Sequence, residues 1–209
     1  MTKERLIIFT RYPEPGKTKT RLIPALGADK AAMLHRQMTE YTLEQVRLVQ
    51  QQRPITVEVR FTGGDLKLMT SWLGDIICLP QAEGDLGTRM GRSLSLAFGE
   101  GIDRAAVIGT DCPGLNADII SLAFDSLQLS HDLVLGPALD GGYYLLALRC
   151  LIPELFININ WGTATVLQQT VDIAKQLNLS IAYLPQLADV DRPEDLSVWE
   201  QREGLGAGG

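Results

Sequence analysis

The chain has 209 residues, with 19 Lys and Arg against 25 Asp and Glu, a net charge of −6 that excludes the broad cationic face of a general nucleic-acid binder. Its three cysteines, Cys78, Cys112 and Cys150, are far apart and form no CxxC pair. That excludes a disulfide framework or a zinc site and leads us to expect a reducing cytoplasm. No apolar run approaches the ~18 residues of a membrane span, so a soluble chain is expected. The length suits a single domain over residues 1–203, followed by a glycine-rich flexible tail over 204–209.

Leu6-Ile7-Ile8-Phe9 reads as a buried first strand. The next stretch, Thr10 to Leu22, holds Pro13, Pro15 and Gly16 and reads as a loop. Arg11, Lys17, Lys19 and Arg21 against Glu14 give it a charge opposite to that of the chain. Clustered cations repel unless they face water or an anion. Their place after the first strand of an α/β domain favours phosphate over bare solvent. Gly16-Lys17-Thr18 lacks the upstream glycine of a P-loop, where Arg11 stands instead, and no G-x-G-x-x-G follows the strand.

The periodicity predicts a long helix over 28–51, with His35 a surface or boundary residue. A strand over 55–61, a short helix to Trp72 and a strand over 76–79 follow. A second loop, Gln81 to Met90, carries Gly84, Asp85, Gly87 and Arg89. Asp85 reads equally as a helix cap. Arg89 in a first helical turn opposes the macrodipole, which points to ligand contact. Ala105 to Ile108 reads as a strand buried on both faces, and Gly109-Thr110-Asp111-Cys112-Pro113-Gly114 turns the chain at its end. Asp111 therefore lies where open α/β sheets bind ligands. It could hold a divalent metal against phosphates or merely shape the turn.

A helix capped by Asn116, a strand over 132–138 and another over 143–148 come next, joined by Asp140-Gly141-Gly142, which a hairpin alone would explain. Trp161-Gly162-Thr163 introduces a helix capped by Thr163, and a last strand covers 180–184. Asp189 and Asp191 then share a direction if the segment is extended, while Asp191 and Pro193 could equally open the final helix. Alternating strands and helices predict an α/β, three-layer sandwich around a mostly parallel sheet. The basic loop, Asp111 and the late acidic pair at its strand ends describe a metal–polyphosphate site.

Six stretches carry a family resemblance: Pro13-x-Pro15-Gly16-x-x-Lys19-Thr20-Arg21-Leu22, Gly84-Asp85-Leu86-Gly87-x-Arg89-Met90, Gly109-Thr110-Asp111-Cys112-Pro113-Gly114-Leu115, Asp140-Gly141-Gly142-Tyr143-Tyr144, Trp161-x-Thr163 and Asp189-Val190-Asp191-x-Pro193-Glu194-Asp195-Leu196. Together, over nearly the whole chain, they resemble the radical-SAM/selenodomain-associated transferases. These are GT-A-like members of the nucleotide-diphospho-sugar transferase superfamily, some described as arsenosugar-biosynthesis glycosyltransferases. The resemblance implies catalytic work by Asp111, Lys19 and Arg21. Nucleotide and phosphate would be bound through Arg11, Lys17, Lys19, Arg21, Gly84, Asp85, Gly87, Arg89 and Thr110. Asp111 with Asp191 or Asp189 would hold Mg²⁺ or Mn²⁺, and Asp140, Gly141, Gly142, Tyr143, Trp161 and Thr163 would face the acceptor.

The implied activity is metal-dependent glycosyl transfer from a nucleotide-diphospho-sugar to a small-molecule acceptor. Nucleotidyl transfer from an NTP to a phosphorylated acceptor, releasing pyrophosphate, is one alternative. A nucleotide-binding regulator without turnover is the other. The Gly-Gly-x-Ser-x-Arg-Met-Gly loop of many nucleotidyltransferases is absent, and the first metal motif, at Asp111, is not an Asp-x-Asp.

Overall fold

The computed structural model describes residues 2–206. Seven strands form one sheet: β1 Glu4–Arg11, β2 Ile55–Thr62, β3 Ile77–Pro80, β4 Arg104–Ile108, β5 Leu133–Pro137, β6 Tyr143–Leu148 and β7 Ile181–Tyr183. Their order across the sheet is β3-β2-β1-β4-β6-β5-β7. Only β6 runs against its neighbours, so this is the mostly parallel α/β sandwich expected from the alternation of elements.

Helices cover both faces, because the strands are apolar on both. Along β1, Leu6 and Ile8 enter one core while Ile7 and Phe9 enter the other, the period of two that a pleated strand imposes. The first core is closed by α2 (Ala28–Gln52), α3 (Leu66–Leu73) and α5 (Ala117–Gln128), and the second by α4 (Leu86–Gly99) and α6 (Val166–Gln176). In α5, Ile120, Ala123, Phe124 and Leu127 are buried at i, i+3, i+4 and i+7, a core-facing helical stripe. Asn116 caps that helix as expected, accepting from the Ile119 N–H at 3.0 Å.

Two local expectations are corrected. The stretch after β1 is not wholly irregular. A 3-10 turn over Thr20–Leu22 and the four-residue α1 (Ile23–Leu26) close it, because Leu22 is fully buried against Met38, Val190 and Trp199. Thr163 does not cap α6, which starts three residues later at Val166. Its hydroxyl instead donates to the Asn160 carbonyl at 2.7 Å, shaping the turn before the helix. The last helix, α7, spans Leu196–Gly206, and residues 207–209 of the expected tail lie outside the described residues. Among the described residues no helix is long and apolar enough to cross a membrane.

Candidate active site

The parallel strands all end on one edge of the sheet, and the chemically dense loops converge there. At the β4 exit, Gly109 donates its N–H to Tyr144 O at 3.1 Å. Asp111 follows with a half-exposed side chain, yet its Oδ1 is shielded from solvent and lies 2.9 Å from Lys19 Nζ. The exposure therefore falls on Oδ2. Burial pushes the Asp111 pKa up, but the charge of Lys19, that of His35 and the Lys19 hydrogen bond together hold it below the usual carboxylate range. Thr110 is buried and lines neither of the cavities described below.

The basic loop is spread rather than clustered. Lys17 is exposed and pairs with Glu14 at 2.8 Å. Arg11 donates to Lys17 O at 2.9 Å. Arg21 pairs with Asp191 while its side chain stays 63% exposed. Lys19 alone turns inward, with a side chain 4% exposed and Nζ donating to Val190 O at 2.6 Å. These four cations, with His35, Asp111 and Asp191, line a cavity of about 420 Å³.

A second cavity, about 310 Å³, shares Asp111 and Arg21 with the first. Asp140 and Asp189 supply two more carboxylates, and Tyr143, Tyr144 and Trp161 supply an aromatic wall. Burial and the negative charge of Asp140, then of Asp195 and Asp111, raise the Asp189 pKa. Asp140 Oδ1 accepts the Gly142 N–H at 2.8 Å, so it serves the turn and lines the cavity at once. Trp161 meets Tyr143 edge-on, with ring centroids 6.4 Å apart. Its indole lies where a Gly87 Cβ would be, 2.5 Å from Nε1. Gly141 has φ +89°, and a Cβ there would sit 2.2 Å from Ala164 O. Both glycines are thus required by close approach.

The loop from Gly84 to Arg89 contributes only Leu86 to these cavities. Asp85 caps α4, accepting from the Thr88 N–H at 2.8 Å. Arg89 folds back to donate to Gly84 O at 2.8 Å, and that bond offsets its unfavourable place in the first turn. Cys112 is buried. That burial, then the charges of Asp111, Asp189 and Asp140, raise its thiol far above the usual range, which removes it as a nucleophile.

Residues 45–163 match the family described as uncharacterized protein conserved in bacteria (DUF2064), a span of more than half the chain. The chain belongs to this DUF2064 family. Among solved structures, it is similar to a candidate nucleotide-diphospho-sugar transferase of Desulfovibrio desulfuricans G20. The TM-score is 0.86 and the identity 31%, over 98% of this chain and 97% of that one. The 4-diphosphocytidyl-2C-methyl-D-erythritol synthase of Anaerococcus prevotii DSM 20548 matches at TM-score 0.63 and 11% identity, over 98% of this chain and 96% of that one. A CMP:2-keto-3-deoxy-manno-octonic acid synthetase complexed with CTP matches at TM-score 0.59 and 12% identity, over 99% of both chains. At such identities these two share the fold alone. No curated protein matches the sequence.

In this DUF2064 chain the residues proposed as metal ligands divide. Asp191 is taken up by Arg21 and lies 3.7 Å from Lys19 Nζ, whereas Asp189 shares the carboxylate cavity with Asp111. Both also line a third cleft of about 400 Å³ with Arg21 and Asp140. Among the described residues no three His, Cys, Asp or Glu side chains group as a closed metal site. A hard cation bound through one or two carboxylates, with substrate phosphates and water completing its shell, fits such a donor set, and Mg²⁺ binds this way.

His35 is the residue that sequence reasoning misplaced. It is 5% exposed. Nε2 lies 3.0 Å from Arg11 O, and Nδ1 lies 3.9 Å from Asp111 Oδ1. Its adjacency to the Leu34–Met38 stripe of α2 was the available signal.

Proposed function

We propose that the chain is a nucleotide-dependent transferase that moves a glycosyl group from a nucleotide-diphospho-sugar to a small-molecule acceptor. One observation carries this reading: a cationic cavity and a carboxylate-and-aromatic cavity meet at Asp111 and Arg21, which line both. The first is built for a diphosphate and the second for a ligand with hydroxyls and an apolar face. The Desulfovibrio likeness supports a transferase, and the resemblance to radical-SAM/selenodomain-associated transferases supports the glycosyl branch.

In this reading Arg21, Arg11 and Lys17 neutralise the donor's phosphate oxygens, and bidentate guanidinium contact orients them. Asp111 Oδ2 and Asp189 are the carboxylates placed to hold Mg²⁺ or Mn²⁺, which would stabilise charge on the leaving diphosphate. Asp140 accepts hydroxyl hydrogens from the acceptor, and the Trp161–Tyr143 wall excludes water beside it. Holding donor and acceptor across one carboxylate supplies the proximity that group transfer needs.

Nucleotidyl transfer is the second reading, favoured by the fold shared with the cytidylyl-transferring enzymes above and by the four-cation cavity. A thermal-shift panel of NTPs and nucleotide sugars, with and without Mn²⁺, separates the two. Stabilisation by a nucleotide sugar with metal supports glycosyl transfer, and stabilisation by an NTP with metal but by no nucleotide sugar supports nucleotidyl transfer. Metal-independent binding that survives Asp111→Ala would leave a nucleotide-binding regulator.

A further inference from the structure

We propose that Lys19 is a positioning residue and that its ammonium takes no part in holding phosphate. This rests on Asp111 being the functional carboxylate of the proposed transferase. An ammonium has three donors, and Lys19 Nζ has three oxygen neighbours. These are Val190 O at 2.6 Å, Asp111 Oδ1 at 2.9 Å and Asp191 Oδ1 at 3.7 Å. Two of its donors are thus committed to Val190 O and Asp111 Oδ1, Asp191 lies beyond hydrogen-bond length, and only 4% of the side chain is exposed where it lines the cationic cavity.

The backbone points the same way. Lys19 sits in the left-handed region, φ 49° and ψ 45°. A non-glycine residue stays there only where its surroundings over-determine it. What fixes it is a closed circuit: Lys19 Nζ binds Val190 O and Asp111 Oδ1, and the Val190 N–H binds Asp111 O at 2.8 Å.

That circuit ties three loops together. It clamps the inner oxygen of Asp111, leaves Oδ2 facing the cavity, and sets the spacing between Asp111 and the segment that carries Asp189 and Asp191. Arg21, 63% exposed two residues on, is left as the phosphate-facing cation of the turn.

The test is a thermal double-mutant cycle on the full metal-free chain: Lys19→Met, Asp111→Asn and the pair. Each single change is expected to lower Tm, and the pair to lose clearly less than the sum. Additive losses would overturn the clamp, since groups in contact must couple. Lys19→Arg is the second variant. A planar guanidinium does not fit a buried three-oxygen seat, so Tm should fall even though charge is kept; an unchanged Tm would overturn the proposal.

With the donor found by the ligand panel, Lys19→Met should lower kcat about 10-fold or more with KM within about 3-fold. A rise in KM with unchanged kcat would return Lys19 to phosphate binding. If no donor is found, or Asp111→Asn stays active, the transferase reading fails, while the cycle still decides the clamp.

Discussion

Val190 donates its backbone N–H to the carbonyl of Asp111 at 2.8 Å, and the two acidic neighbours of Val190 part company around that bond. Val190 itself is fully buried with Leu22, Met38 and Trp199. Asp189 enters the carboxylate cavity, where like charges raise its pKa, and Asp191 is paired with Arg21.

Opposite stability effects are therefore expected from Asp189→Asn and Asp191→Asn. With the folded pKa of Asp189 raised, the native state binds more protons than the unfolded one as pH climbs through the carboxylate range. Stability is lost over that climb and the penalty is complete at neutral pH. Asp189→Asn should raise Tm at pH 7, and the gain should vanish below about pH 4, where both states are protonated. Asp191→Asn should lower Tm at pH 7 by leaving Arg21 unpaired. Differential scanning fluorimetry at both pH values reads this out, and a lower Tm for Asp189→Asn at pH 7 would contradict the charge crowding.

Gly87→Ala and Gly141→Ala test the acceptor wall. An alanine at 87 strikes the Trp161 ring, which can shift, whereas one at 141 strikes the Ala164 backbone from φ +89°. Overpacking against a movable ring costs about 1–3 kcal/mol. The second clash adds a strained backbone, so about 3 kcal/mol or more is expected. Urea unfolding should rank Gly141→Ala below Gly87→Ala, and the reverse order would show that the turn relaxes more easily than the ring.

Those glycines mark the line between what was legible in sequence and what was not. Strand runs such as Ile7-Ile8 and Val107-Ile108, and the long period of α2, are local signals, and the elements form where they predict. Asp111 and the basic loop gather at the strand ends because parallel topology puts those ends together. Side-chain direction is not local. Lys19 turns inward because Val190, 171 residues away, offers a carbonyl. Arg89 folds back because Gly84 adopts φ +112° and presents its oxygen. His35 is buried because α2 lays it against the β1 end, where Thr10 Oγ1 and the Arg11 carbonyl meet its Nε2. Each depends on a partner fixed only once the sheet has formed.

Asp111→Asn should cut turnover by about 100-fold, the scale of one electrostatic contributor. It should also destabilise, because Lys19 remains a buried cation with a weaker acceptor; a loss of about 1–3 kcal/mol is expected. Steady-state kinetics with the donor from the ligand panel, beside urea unfolding, measures both. Full activity in this variant would remove Asp111 from the chemistry.

His35 gives the protein a second, distinct pH dependence. Burial, outweighing the attraction of Asp111 and the hydrogen bond to the Arg11 carbonyl, lowers its pKa below 6.5, with the charge of Lys19 adding to the shift. The folded state keeps the ring neutral while the unfolded state takes up a proton, so stability should fall as pH drops below about 6.5 and level off only under the folded pKa. His35→Gln offers an amide N–H to the Arg11 carbonyl and cannot titrate. Its unfolding free energy should be flatter than wild type between pH 6.5 and the carboxylate range, at some cost in packing at every pH. Urea unfolding at half-unit pH steps measures the slope. A wild-type slope in His35→Gln would assign the dependence to carboxylates whose pKa is held low, such as Asp111, instead.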